Sequence, residues 1–350
     1  MSTVPLSATV LGLDLGGTQI RAALVRADGS RVGRASAATP VLEGPQAIVD
    51  ACVRTLALAR ALAAAEDPLA VQQLVGIGIS APGPIDPWTG VAVEPANLGP
   101  AFPGTELAGP IGAALGLPAF LEHDTKVAIL GEQAFGAGRG IDDLLYLTIS
   151  TGLGAALISG GRLVTGPDDT ALEVGHAPLT LDGPRCTCGG IGHLEAHASG
   201  VALARVGAEA ATSGASPWLA GWVAAHPGEQ VTGKVVAEAA AAGDAAAAGL
   251  IDHLLLAISR AVAGFVNVFN PTRIIIGGSI AEGHWSRLGP KIAAEIEGQS
   301  FKVPSRRVSV HLAELGADVS LVGCHPVVTS RLGDPSWASA VAARKRGAGR

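Results

Sequence analysis

Several things are scarce in this 350-residue chain, and each scarcity removes a class of function. Charged residues make up 15% of it against 48% hydrophobic, which excludes a disordered, solvated polypeptide. Four cysteines in this length make no disulfide framework. Cys52 and Cys324 each fall in a helical apolar pattern and read as buried small hydrophobes. Excess positive charge is missing too. The formal net charge is −6, spread along the chain, which argues against a nucleic-acid partner. No apolar stretch runs for the roughly 20 residues that cross a bilayer without a charge or a Gly/Pro break, so no membrane partner is expected. The opening MSTVPLSATVLGLDLGG has neither a basic n-region nor a long apolar h-region. A cytoplasmic protein is the expectation. Only the end is basic, and residues 341–350 read as a disordered tail.

What is present suggests about two domains of alternating strands and helices, an α/β architecture. The runs LGLDLGGTQIRAALV and YLTISTGLGAALI share a plan: apolar strand, tight Thr/Gly turn, Ala-rich strand. Such an internal repeat points to two domains of similar topology. Helices are expected over 46–65, 244–270, 285–297 and 318–332, and strands over 75–80, 118–121, 273–278 and 307–315. Pro82, Pro84 and Pro87 fix a loop, with Asn97 just beyond it.

The stretch Leu121–Glu132, LEHDTKVAILGE, brings Glu122, His123 and Asp124 to the C-terminal end of a strand, where a helix begins. Open α/β sheets bind ligands at such ends. Asp124 is therefore a candidate general base, with simple helix capping as the competing reading. Gly16 and Gly17 let backbone N–H groups approach phosphate oxygens, and Thr18 adds a hydroxyl. Asp14, ahead of that turn, suits a metal-bound water. Thr151, Gly152 and Gly154 offer the same chemistry in the second turn, and Gly277 and Gly278 end a strand where a nucleoside could lie. Cys186, Cys188 and His193 occupy a Gly-rich loop, and His176 completes a tetrahedral Cys₂His₂ set, read as structural Zn²⁺. Asn97, Glu173, His176 and Glu195 would suit a polyhydroxylated substrate if the fold brings them together.

Jointly, LDLGGT at 13–18, STGLG at 150–154, Glu173-Val174-Gly175-His176, the CxCGxxG loop with Glu195, and Gly277-Gly278 resemble the ROK (repressor, open reading frame, kinase) family. The resemblance covers nearly the whole chain. It implies a two-domain actin-like, ribonuclease-H-like (ASKHA) sugar kinase fold with a cleft between domains. The expected division is 1–122, completed by a C-terminal helix at about 317–340, against 123–316 carrying the zinc loop 176–195. It further implies ATP, catalytic Mg²⁺, a hexose substrate and a homodimer or homotetramer, in the carbohydrate metabolism of glycolysis. Asp124 is similar to the family's catalytic aspartate, and Asn97, Glu173, His176 and Glu195 match its sugar contacts. The chain departs from the usual E-N-D-A-N at His123, Thr125 and Lys126. His123 can still hydrogen-bond a sugar hydroxyl, but with a different shape and pH response. Glucose is the first expectation. N-acetylmannosamine, N-acetylglucosamine or fructose comes next, with a non-catalytic sugar sensor or ROK transcriptional regulator as readings of another class. A regulator's N-terminal winged helix-turn-helix has no room before Asp14.

Overall fold

A computed structural model describes residues 4–96 and 98–347, which form two compact units. Of these residues, unit one comprises those within 4–140, 163–171 and 314–347, and unit two those within 141–162 and 172–313.

In chain order, the first unit begins with strands β1 (Thr9–Leu15), β2 (Gln19–Val25) and β3 (Arg31–Ala38). Helices α1 (Pro45–Glu66) and α2 (Pro68–Gln72) and strand β4 (Leu74–Ala81) follow. A small three-stranded sheet, β5 (Ile85–Asp86), β6 (Val91–Ala92) and β7 (Thr105–Glu106), precedes α3 (Ala108–Leu115), β8 (Ala119–His123) and α4 (Asp124–Phe135). The main sheet has the order β3-β2-β1-β4-β8, with β1, β4 and β8 parallel. β1 is buried at all but one position, as expected for a strand covered on both faces. On one face, α1 sinks Ile48, Cys52, Leu56 and Ala59 into the core. Each large side chain so buried contributes about 1.5–3 kcal/mol over an exposed one.

The second unit holds β9 (Leu144–Ile149), β10 (Leu153–Ser159) and β11 (Arg162–Leu163). Next come α5 (Leu194–His197), α6 (Gly200–Thr212), α7 (Pro217–Ala225), α8 (Gly233–Ala241) and α9 (Ala245–Phe269). The unit closes with β12 (Arg273–Gly277), α10 (Ser279–Gln299), α11 (Lys302–Arg307) and β13 (Ser309–Leu312). Its sheet order, β11-β10-β9-β12-β13, reproduces that of the first unit strand for strand. The repeated hairpins in the sequence thus mark a repeated topology. α9 is capped by the Asp244 side chain and ended by Asn270 in the left-handed region ahead of Pro271. Among the described residues it is the one helix long and apolar enough to cross a bilayer. It packs on α8 and α10, and its Asp252 and Arg260 pair with Arg287 and Glu295 of α10.

The chain then returns to unit one as α12 (Val319–Arg331) and α13 (Pro335–Gly347). α12 covers the second face of the first sheet. A Cβ on Gly78 would lie 2.6 Å from Cys324 Cβ, and one on Gly12 2.7 Å from the Leu321 carbonyl, so only glycine admits the helix this closely.

Three expectations need correction. The division drawn after residue 122 falls instead after Gly140, because α4 packs along α12; Gly131 and Gly323 face each other there with no room for a Cβ. The helix expected over 317–340 is two helices, interrupted at Leu332–Asp334. Residues 341–347 are helical rather than a disordered tail, with the Arg344 guanidinium 5.2 Å from the Trp88 ring and its Nε 3.2 Å from Asp86 Oδ2. Residues 348–350 lie outside the described ones.

Candidate functional site

Parallel pairing of β1, β4 and β8 sets Asp14 beside Ser80, and Ala81 beside His123, at the C-terminal edge of the first sheet. Asp124 opens α4. The N-cap is His123, which makes no side-chain capping bond, so capping does not occupy Asp124. Its carboxylate is about half exposed at 46%, and His123 Nε2 stands 3.4 Å from Asp124 Oδ1. A helix start favours the negative charge there.

The His123 ring is held on two sides. Thr125 Oγ1 lies 2.7 Å from Nδ1, and a Cβ on Gly83 would come 2.6 Å from Nε2. Gly83, in the proline-rich loop, therefore serves as the imidazole's close-packed wall. The backbone N–H of His123 donates to Glu122 Oε1 at 2.7 Å.

Asp14 is gripped by Arg21, whose Nε and Nη2 donate to Oδ2 at 3.0 and 2.5 Å. Burial pushes the Asp14 carboxyl above the usual range, against the pull of Arg21, and the charge of Asp124 adds to the rise. The turn Gly16-Gly17-Thr18 is closed by Gly16 N–H donating to Gln19 O at 3.0 Å. Thr39 braces it, with Oγ1 donating to Gly16 O at 2.6 Å and its N–H to Thr18 O at 3.0 Å. Asn97 lies outside the described residues.

In unit two, the β9–β10 turn carries Thr151, Gly152 and Gly154. Ser150 Oγ at its start lies 3.0 Å from Ser279 Oγ, at the first turn of α10. Gly277 pairs with Thr148, and Gly278 is the N-cap of α10 at φ 92°. A side chain there would strike the backbone of Ile149, so the glycine pair lets the helix start close upon the turn. The arrangement offers backbone N–H groups, hydroxyls and a helix N-terminus to an anion.

The metal-type residues also converge. One ligand atom from each of His176, Cys186, Cys188 and His193 lies within 4.8 Å of the others. Cys188 Sγ is 3.3 Å and Cys186 Sγ 3.7 Å from the Nδ1 of His193 and His176 respectively. Ligands at tetrahedral zinc distances stand about 3.3–3.8 Å apart, and these two Cys–His pairs have that spacing, so the cluster suits one ion. Glu195, on α5, reaches both features: Oε2 accepts from Leu153 N–H at 2.9 Å, and Oε1 lies 3.8 Å from Cys186 Sγ. Glu173 is exposed just ahead of the short turn that holds His176.

Sequence reasoning missed Arg331, Asp169 and Ser80, and it noted Lys126 without its partner. Lys126 departs from the family pattern; its side chain is only 1% exposed and pairs with Asp169. Arg331 pairs with the fully buried Glu122. Burial alone would push the Glu122 carboxyl up, but Arg331 and Lys126 outweigh it and hold it below the usual range. Burial and then the Glu122 charge push Asp169 up to about 7. Ser80 is buried at the strand edge with its hydroxyl unpaired among the described residues. Only Lys126 gave a signal, as a charge amid VAIL.

The chain is similar to known proteins over most of its length. The glucokinase of Thermotoga maritima is 32% identical over 326 residues, covering 93% of this chain and 98% of its own. The N-acetylmannosamine kinase of Escherichia coli O157:H7 is 32% identical over 291 residues, 82% of this chain and 89% of its own. The crystal structure of a ROK family glucokinase from Streptomyces griseus, in complex with glucose and AMPPNP, matches with a TM-score of 0.74 at 29% identity, covering 91% and 98% of the two chains. The two α/β units of like topology are thus the actin-like fold of ROK sugar kinases. The ROK family model itself matches residues 10–330, and the chain belongs to that family.

Proposed function

We propose that this protein is an ATP-dependent hexose kinase that converts glucose to glucose 6-phosphate. The observation that carries the reading is the state of Asp124: a half-exposed carboxylate at a strand end and helix start, with no capping bond, in a chain whose glucokinase relatives span nearly its full length. In this reading a sugar hydroxyl gives its proton to Asp124 as its oxygen attacks the γ-phosphorus of ATP, and the bond to the ADP oxygen breaks. A positioned carboxylate base contributes about 10²–10⁴-fold. Positioning and neutralisation of the phosphoryl oxygens supply most of the rest. Asp14 would hold Mg²⁺ through water, since one of its oxygens is given to Arg21. The two glycine turns and Gly277-Gly278 would take the nucleotide.

Glu173, His176, Glu195 and His123 are the sugar contacts in this account, together with Asn97. Zn²⁺ at His176, Cys186, Cys188 and His193 is structural, because four protein ligands leave no open position for chemistry. A homodimer or homotetramer without nucleic-acid partners completes the reading. N-acetylmannosamine is the second candidate substrate, favoured by the similarity to the kinase of that sugar. Coupled ADP-release assays over glucose, N-acetylmannosamine, N-acetylglucosamine and fructose test the proposal. Turnover on glucose above the other three supports it, and turnover on none of them refutes it.

A further inference from the structure

Lys126 and Asp169 form a buried ion pair with side chains 1% and 0% exposed. The ammonium stands 2.6 Å from Asp169 Oδ1 and donates to the Asp169 main-chain carbonyl at 2.5 Å. Lys126 lies on α4, two residues beyond Asp124. Asp169 lies in the 163–171 segment, in a loop closed by Ala171 N–H donating to Thr165 O at 3.1 Å. Around the pair, Arg331 of α12 bonds Glu122 and donates to Leu121 O at 3.0 Å, which makes two acids and two bases.

A buried ion pair is weak evidence of stabilisation: each buried ion costs several kcal/mol of desolvation, and well-packed apolar residues of the same volume are often as stable or more so. What a single ammonium holding both the side chain and the main chain of one residue provides is location. The backbone agrees: Asp169 has φ 61° and Leu172 φ 74°, both in the left-handed region. Such residues persist only where their surroundings over-determine them. The residue after Leu172 is Glu173.

We propose that Lys126 is a positioning residue for the sugar site: by gripping Asp169 it holds the loop that leads into Glu173 and His176, so that both meet the sugar in one conformation. The proposal rests on the kinase reading above. Because Lys126→Met alone leaves a buried acid unpaired, the decisive variant is Lys126→Met/Asp169→Ala, which removes both charges. Glucose KM is expected to rise about tenfold, while ATP KM stays within about twofold. Amide hydrogen exchange over residues 165–173 is expected to quicken, with the β1–β4–β8 sheet unchanged. Asp168→Asn, a substitution of the exposed neighbour, should alter neither. Unchanged exchange over the loop overturns the clamp, and so does a parallel rise of both KM values. A wild-type protein that turns over no sugar counts against the kinase reading, and the exchange measurement still decides the clamp.

Discussion

One carboxylate joins the metal loop to the β9–β10 turn: Glu195 Oε2 accepts from Leu153 N–H at 2.9 Å, while its Oε1 stands 3.8 Å from Cys186 Sγ. The two oxygens have separable jobs. Glu195→Gln keeps an acceptor for Leu153, whereas Glu195→Ala leaves that N–H without one, at a cost of about 1–3 kcal/mol. Both variants should raise glucose KM. Only the alanine variant should also raise ATP KM, by about tenfold for each 1.4 kcal/mol. Equal ATP KM values in the two variants would show that the bond to Leu153 plays no part in holding the turn.

The metal cluster has its own test. Purified protein should carry about one Zn²⁺ per chain, and Cys188→Ala should lose it. Residues 176–195 have little apolar side chain to order them, so metal loss should lower the thermal midpoint and raise glucose KM together. Zinc-free protein that melts and binds sugar like the wild type would contradict a structural role.

In the proposed reading, His123 bears on the choice of sugar. Its ring is fixed by Thr125 and by the close approach of Gly83, so it presents one edge rather than a range of rotamers. His123→Asn restores the residue usual in the family. It should change the ratio of kcat/KM for glucose to that for N-acetylmannosamine by about 10-fold or more. A ratio that stays put assigns the selectivity elsewhere.

Asp169 makes a prediction in pH. Its folded-state value is raised from 3.8 to about 7, so between those values the folded protein binds more protons than the unfolded chain. The stability it contributes is present at low pH and is lost as pH rises through about 7. Glu122, held below its usual 4.5, acts with the opposite sign and only below pH 4.5. Asp169→Asn should therefore flatten the decline in thermal midpoint from about pH 5 to pH 7, measured by calorimetry. An unaltered slope would contradict the shift.

Features built from neighbouring residues were legible in the sequence. The two Thr/Gly turns, the metal loop and the strand-to-helix step at Asp124 are local, and the duplicated hairpin foretold the duplicated sheet. What escaped was built across distance. Lys126 meets Asp169 43 residues away, and Arg331 meets Glu122 209 residues away. Neither pairing has a periodicity or a motif to announce it. The same cause misplaced the division at residue 122. α4 reads as the start of a second domain until α12, far along the chain, is seen packed on it. The basic end misled for a related reason: its composition is that of a solvated tail, but Arg344 finds Trp88 and Asp86.

The proposed role of Asp124 is to accept the proton of the attacking hydroxyl. Asp124→Asn keeps the size and the helix start, so the protein should fold and bind glucose nearly as the wild type does. Steady-state kinetics with saturating ATP should then show kcat reduced by about 10²–10⁴-fold with glucose KM little changed. A kcat within about tenfold of the wild-type value would be too small a loss for a general base and would contradict the account.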